Sequence, residues 1–252
     1  MSYIERKKDI LDILRASGGM VRHSALEKRL YISTSTLRRD LIALEKEGII
    51  TRHHGGITLN NPSASEDSIS IRRAENPEKK FAIAKKADKF IKDNMVIFLD
   101  SSSTVSYIVP FISRHKNISV ITNGINNAMK LYMNENIRCY ICPGLVKHRS
   151  LSIVGDFATK FLNEFTVDIA FLSCKAININ GVYEGDDSQA FCKKAMLKNA
   201  TQKIILCDTS KENANGFVRL ADFDDIDMII SNDRFSDELC ERIEAKGCVI
   251  VE

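Results

Sequence analysis

Residues 33 to 48 read STSTLRRDLIALEKEG. Four hydroxyl side chains, Ser33, Thr34, Ser35 and Thr36, come just before Arg38 and Arg39, and leucines recur at 37, 41 and 44. At about 100° per residue those leucines lie within about 60° of one another, a stripe for burial. The same wheel puts Ser35 and Arg39 on the opposite side and Arg38 on the flank. Cationic and hydroxyl groups therefore gather on the exposed first turns of a helix that Ser33 caps and Gly48 ends. Guanidinium groups bond guanine edges or phosphates, and hydroxyls beside a helix N-terminus favour phosphate oxygens. The chemistry offered is recognition of a polyanion. A second set of polar residues recurs in short turns: Asp100-Ser101-Ser102-Ser103-Thr104, Thr122-Asn123-Gly124, Pro143-Gly144, Ser173-Cys174-Lys175 and Asp208-Thr209-Ser210-Lys211. Ser and Thr there can present hydroxyls and backbone N–H groups to a phosphate. Lys211 would neutralise it, and Asp100 would accept from a sugar hydroxyl.

The elements that must carry these groups follow from periodicity. Ile4, Ile10, Leu11, Ile13 and Leu14 fit one face of a first helix ended by Gly18-Gly19. Ser24 opens a short second helix to Leu30, and the arginine-tipped helix comes third. Two helices and a third that enters the major groove by its N-terminal residues is a DNA-reading arrangement. After Gly48, Ile49-Ile50-Thr51 and Ile57-Thr58-Leu59 read as two strands of a hairpin, a wing tipped by Arg52, His53 and His54. Charge agrees. Residues 1–60 hold 11 Lys/Arg and 7 Asp/Glu, leaving the other 25 and 26 to residues 61–252, so a basic head of +4 precedes a body of −1.

Residues 60–76 are polar and turn-forming at first (NNPSASEDS), which predicts a linker, with Ile69 and Ile71 in a short extended stretch. From Pro77 apolar strands at 95–100, 118–122, 138–142, 168–174, 203–208, 227–231 and 248–251 alternate with helical segments, one of them at 103–113 with Pro110 as a kink. That pattern predicts an α/β body with a mostly parallel sheet covered on both faces. In such sheets ligands bind beyond the carboxyl ends of strands, where the second set of polar residues falls.

The segment STSTLRRDLIALEKEGIITRHHGGITL resembles the winged helix-turn-helix of the DeoR family of bacterial transcription regulators. The resemblance rests on Thr36-Leu37-Arg38-Arg39-Asp40, Leu44-Glu45, Gly48 and Arg52-His53-His54-Gly55-Gly56. It extends into the body through Asp100, Ser103-Thr104, Thr122-Asn123, Gly144, Gly155, Asp168, Phe171, Gly181 and Asp208-Thr209-Ser210-Lys211. It implies a sensor domain similar in fold to ribose-5-phosphate isomerase and coenzyme A transferases, binding phosphorylated sugars or related metabolites. Three positions depart from the family pattern. Ser102 and Pro143 replace glycines, and Ser173-Cys174-Lys175-Ala176 stands where members often have Gly-x-Asp-Gly. A base in place of an acid favours a more anionic ligand.

The reading is of three parts: residues 1–59 bind double-stranded DNA, 60–76 link, and 77–252 sense. The DNA contacts are Ser33, Thr34, Ser35, Thr36, Arg38, Arg39, Arg52, His53 and His54. The effector contacts are Asp100, Ser102, Ser103, Thr104, Thr122, Asn123, Gly144, Arg149, Lys175 and Lys211. A repressor of a carbohydrate operon, modulated by a sugar phosphate, is expected, paired as a homodimer or homotetramer to read a symmetric operator. The alternative is an isomerase-like enzyme with a nucleic-acid-binding head. The isomerases that the body resembles carry an Asp-Gly-x-Asp cluster, which this sequence lacks, and no acid lies between Asp168 and Glu184; Glu184, Asp186 and Asp187 read as surface and capping groups. RNA binding is disfavoured by the lack of stacking aromatics. Cys139-x-x-Cys142 sits in a strand pattern that points its members to opposite faces, with no second pair, so neither metal nor cofactor is expected. Seven scattered cysteines without an export signal, and no apolar run near the roughly 20 residues of a membrane helix, predict a cytoplasmic protein with free thiols.

Overall fold

A computed structural model describes residues 2–17, 20–59 and 69–252. By its contacts the chain forms two compact units, Met1–Asp67 and Ser68–Glu252.

The first unit runs α1 (Tyr3–Ala16), β1 (Met20–Arg22), α2 (His23–Leu30), α3 (Thr34–Lys46), β2 (Ile50–His53) and β3 (Gly56–Leu59). Ile10, Leu11 and Leu14 of α1, Leu26 and Leu30 of α2, and Leu37, Leu41 and Leu44 of α3 are all buried. These are the positions a 3.6-residue period gathers on inward faces. Ile4, assigned to that face from spacing, is exposed; the expected stop at Gly18-Gly19 lies outside the described residues. Ser24 does not open α2, which starts at His23 with Arg22 in the cap position and no side-chain cap. The wing has a third strand, β1, paired antiparallel with β3. Three residues between two helices are too few to show a period. That pairing explains Gly56: a Cβ there would lie 2.8 Å from the Val21 carbonyl oxygen, while Gly55 turns the hairpin at φ +91°.

The second unit opens with α4 (Ile69–Ala74), a helix where alternation suggested an extended stretch. Ile69 and Ile71 are buried, and the Ile69 N–H donates to the Arg149 carbonyl at 2.7 Å. The Lys80 ammonium donates to the carbonyls of Arg72 and Glu75 at the end of this helix, the C-terminal cap a cation can supply. Of the linker expected at 60–76, residues 60–68 lie outside the described residues, and 69–74 are the helix α4 of the second unit.

There follow α5 (Pro77–Ala87), β4 (Val96–Leu99), α6 (Val109–Ile112), β5 (Ile118–Thr122), α7 (Ile125–Leu131), β6 (Ile137–Ile141), β7 (Leu145–Lys147), β8 (Ser152–Val154), α8 (Asp156–Asn163), β9 (Val167–Ser173), β10 (Ala176–Asn178), β11 (Gly181–Glu184), α9 (Asp187–Lys198), β12 (Ala200–Leu206), β13 (Val218–Ala221), β14 (Met228–Ile230), α10 (Asp237–Glu244) and β15 (Val249–Val251). The helix expected at 103–113 is instead a 3-10 turn at Val105–Tyr107 followed by the short α6, with Pro110 in its first turn. One sheet has the order β15-β14-β12-β9-β4-β5-β6, with every neighbouring pair parallel.

Alternation within strands sorts the core onto two faces. Phe98, Ala170, Leu172 and Ile205 pack with Leu162, Met196 and Leu239 from α8, α9 and α10. Ile97, Leu99, Ile169, Phe171 and Ile204 pack with Ile83, Ile108 and Phe111 on the other side. Burial on both faces is why these strands read as continuous apolar runs. The hairpin β7–β8 and the antiparallel trio β10-β11-β13 were not legible, being short and partly polar. Strand order reverses between β4 and β9: β5 and β6 follow on one side, β12, β14 and β15 on the other. Such a reversal opens a crevice at the carboxyl ends.

Leu44 is fully buried in the first unit. Leu44→Ala should lower that unit's stability by about 2–5 kcal/mol, read as a drop in its urea midpoint. An unchanged midpoint would exclude Leu44 from the core.

Candidate functional site

In the first unit, α3 is held from behind by charge. Arg6 of α1 makes a two-point contact with Asp40, Nε to Oδ2 at 2.6 Å and Nη2 to Oδ1 at 3.0 Å, and buried Lys7 pairs with Glu47. Asp40 thus faces inward, while Arg38 and Arg39 beside it are exposed. At the helix start the Ser33 hydroxyl accepts from the Thr36 N–H at 3.3 Å and lies 2.9 Å from the Thr36 hydroxyl and 3.1 Å from that of Ser35. Ser33 and Thr36 therefore knit the cap. Thr34 and Ser35, exposed with Arg38 and Arg39, form the outward tip.

The wing residues divide differently. Arg52 donates from Nε to Glu45 Oε2 at 2.7 Å and from its backbone N–H to Oε1 at 3.1 Å, bracing β2 on α3. The Glu45 carboxyl is held below its usual range first by the Arg52 side chain, then by its backbone N–H. His53 is exposed and lies 2.6 Å from the Thr58 hydroxyl across the hairpin; His54 is exposed in the turn. The Gly55 carbonyl accepts from the His23 N–H at 3.0 Å, which fixes that turn to the start of α2.

In the second unit the crevice at the strand reversal is built around an ion cluster. Asp100, just past β4, is fully buried. Its Oδ1 accepts from the Ser102 N–H at 2.7 Å and from the Ser102 hydroxyl. Its Oδ2 accepts from the Ser173 N–H at 2.9 Å and lies 3.1 Å from Lys193 Nζ. The ammonium of Lys193 also pairs with Glu184 and donates to the Ser173 carbonyl at 2.7 Å. Burial opposes this charge, but Asp100 and Glu184 outweigh it and hold the Lys193 pKa above the ordinary lysine value. Asp100, expected to accept from a ligand, is thus engaged by the protein. Glu184, expected at the surface, is buried. Lys193 was missed. Its signal was a lysine on the buried stripe of an amphipathic helix, four residues from Gln189 and from Leu197, both buried. Asp186 does cap α9, accepting from the Gln189 N–H at 3.0 Å.

Lys211 reaches across this crevice. Its Nζ donates to the Ser173 hydroxyl at 2.7 Å and lies 3.5 Å from that of Thr104, so it joins the ends of β4, β9 and β12. Asp208 beside it accepts from the Ser210 N–H and hydroxyl. Burial works against the Asp208 charge, yet Lys211, Ser210 and Lys80 together keep its pKa below the usual carboxylate value. The Lys80 pKa is lowered to about 8, first by burial and then by Lys211.

The remaining expected contacts separate. Ser103 and Thr104 are buried and Ser102 is half-buried at the end of β4. At the end of β5 the buried Thr122 hydroxyl accepts from the Gly124 N–H at 3.0 Å, and Asn123 Nδ2 donates to the Ile153 carbonyl at 3.1 Å. Asn127, also missed, donates to the Asp100 carbonyl at 2.7 Å. Among the described residues, Asn123 Oδ1 and Asn127 Oδ1 are buried acceptors without a hydrogen-bond partner. Each would gain a partner from a ligand hydroxyl. Gly144 leads into the β7–β8 hairpin; Arg149 lies in its turn, its carbonyl tied to α4. Lys175 is exposed, its Cγ 3.5 Å from where a Cβ on Gly185 would stand. Cys139 is half-buried and Cys142 buried; burial raises both thiols, Cys142 to about 12. His115 lies 3.3 Å from Asp88 and 3.5 Å from Asp93.

A three-helix unit with a wing and an exposed arginine tip, in a chain with a parallel α/β body, defines the class of winged helix-turn-helix transcription regulators. Residues 6–63 match the DeoR-like helix-turn-helix domain and residues 75–233 the DeoR C terminal sensor domain. The chain belongs to the DeoR family. It is 32% identical to the uncharacterized HTH-type transcriptional regulator YulB of Bacillus subtilis, over 98% of this chain and 95% of that one. It is 27% identical to the glycerol-3-phosphate regulon repressor of Escherichia coli K12, over 92% of each. Among solved structures, ribose 5-phosphate isomerase A of Methanocaldococcus jannaschii aligns over 55% of each chain, at 22% identity and a TM-score of 0.40. Among the described residues, no helix is long and apolar enough to cross a membrane.

Lys193→Ala would leave Asp100 and Glu184 as buried charges without their cation. The expected loss is about 3–5 kcal/mol of stability in the second unit, measured by urea denaturation. A midpoint within error of the parent protein would contradict the ion cluster as a structural centre.

Proposed function

We propose that this regulator represses a carbohydrate operon and that a phosphorylated sugar or a related small anion, bound at the strand-end crevice, modulates its hold on DNA. The observation that carries the effector reading is the placement of Lys211. One ammonium sits among the hydroxyls of Ser173 and Thr104 at the meeting of three strand ends. A phosphate there would take up that cation together with hydroxyl donors. The orphan carbonyl oxygens of Asn123 and Asn127 suit the hydroxyls of a sugar or polyol. The glycerol-3-phosphate named in the E. coli relative is of this chemical kind.

On the DNA side, Arg38 and Arg39 supply base and phosphate contacts, with Thr34, Ser35, His53 and His54 flanking them. Ser33, Thr36 and Arg52 act by shaping the cap and the wing. Two heads per operator are needed for specificity, so the working form is a homodimer or homotetramer. We read the protein as a cytoplasmic regulator and not an isomerase. A proton-abstracting base needs a carboxylate free to face substrate. Asp100 and Glu184 are both bound to Lys193, and Asp208 to Ser210.

Two substitutions test the halves separately. Arg39→Ala should weaken binding to the operator upstream of the protein's own operon by about 1–3 kcal/mol if Arg39 reads a base; undiminished affinity in a shift assay at moderate salt removes that role. Lys211→Ala should abolish the response to sugar phosphates, screened by thermal shift, while DNA binding persists. A variant that responds at the same ligand concentration as the parent would take Lys211 out of the site.

A further inference from the structure

Cys174 and Cys207 stand one residue beyond Ser173 and Leu206, the last register partners of β9 and β12. Their sulfurs are 3.5 Å apart. Neighbouring strands run about 4.7–4.9 Å apart, inside the roughly 4.4–6.8 Å Cα separation that a disulfide bridges. Closing the sulfur gap to a bond of about 2.05 Å requires the two side chains to rotate toward one another. Both residues are buried, Cys207 fully and Cys174 with 6% of its surface exposed.

We propose that Cys174 and Cys207 form a reversible dithiol–disulfide site oxidised by small hydroperoxides. The two thiols are unequal. The hydrogen bond between the two thiols, then the charges of Lys211 and Lys193, outweigh burial and nearby Glu184 and lower the Cys174 pKa. The Cys207 pKa is raised by Cys174 and by burial. Cys174 also follows Ser173, whose carbonyl and hydroxyl hold the Lys193 and Lys211 ammonium groups, and it is the less buried of the two, so it is the nucleophile and Cys207 the resolving thiol. The Cys174 thiolate attacks a peroxide oxygen; the O–O bond breaks, and the departing alkoxide takes a proton to leave as an alcohol. Cys174 is then a sulfenic acid. The Cys207 sulfur attacks the Cys174 sulfur, the S–S bond forms, the S–O bond breaks, and hydroxide leaves as water with the Cys207 proton. The two sulfurs lose two electrons in all, and the peroxide gains them.

The bond would form beside Ser173, whose hydroxyl donates to the Leu206 carbonyl at 2.6 Å and accepts from Lys211. Oxidation thus has a direct route to the crevice. That consequence rests on the effector reading; the disulfide does not.

The test uses the folded full-length chain exposed to hydrogen peroxide, blocked with iodoacetamide in denaturant and cut with trypsin without reductant. Cleavage after lysines yields residues 161–175 and 204–211, each with a single cysteine. The expected product is one linked species joining these two peptides, lost on adding dithiothreitol. Cys207→Ser, its folding checked by circular dichroism, should instead accumulate a dimedone-reactive sulfenic acid at Cys174. Recovery of both cysteines as alkylated thiols, or a link that forms only after denaturation, would overturn the proposal. So would a folded Cys207→Ser protein with Cys174 unlabelled.

Discussion

A buried ammonium between two carboxylates loses the hydration that would stabilise each charge in water, and only close partners can replace it. Lys193 is in that position. Asp100 comes from the end of β4, Glu184 from β11, and the Ser173 carbonyl from the end of β9. The cluster therefore fixes one helix against elements from both sides of the strand reversal. It also sets what surrounds it. Asp100 orders the Ser102 turn and the Ser173 backbone, and Ser173 then presents its hydroxyl to Lys211. The strand ends at the reversal are held by a charge almost wholly removed from solvent.

The DNA-reading unit uses charge in the same way, with the opposite face left open. In Arg38-Arg39-Asp40, the acid turns inward to Arg6 and the two bases remain exposed. Ion pairs to α1 hold the helix while leucines seat it, so the guanidinium groups need not contribute to folding. Arg52, expected to meet DNA, also braces the wing through its contact with Glu45.

A ligand in the crevice changes the DNA affinity only to the extent that it binds one state of the protein better than another. The second unit has features suited to such a preference. Lys211 joins three strand ends through hydroxyls, and two asparagine oxygens lack partners among the described residues. A ligand that bonds all of these would favour the conformation in which they converge.

Local signals determined much of this in advance. Leucine spacing and the hydroxyl cap of α3, the Gly-Gly turn of the wing, and the alternation of apolar runs with helices were legible because each depends on residues close in sequence. The winged head and the parallel body followed from them, as did Lys211 at a strand end. Short elements such as β1, β7 and β10 were not legible, since three residues carry no period and owe their form to a partner strand. Nor was the division of labour among charged residues. Asp100 is separated from Lys193 by 93 positions and Arg6 from Asp40 by 34, and Arg52 meets Glu45 only because β2 folds back on α3. The sequence determines which residues are able to carry charge; the tertiary structure decides which charges are spent on one another and which remain for DNA or ligand, because a charge's role depends on its distance from an opposite charge and from water.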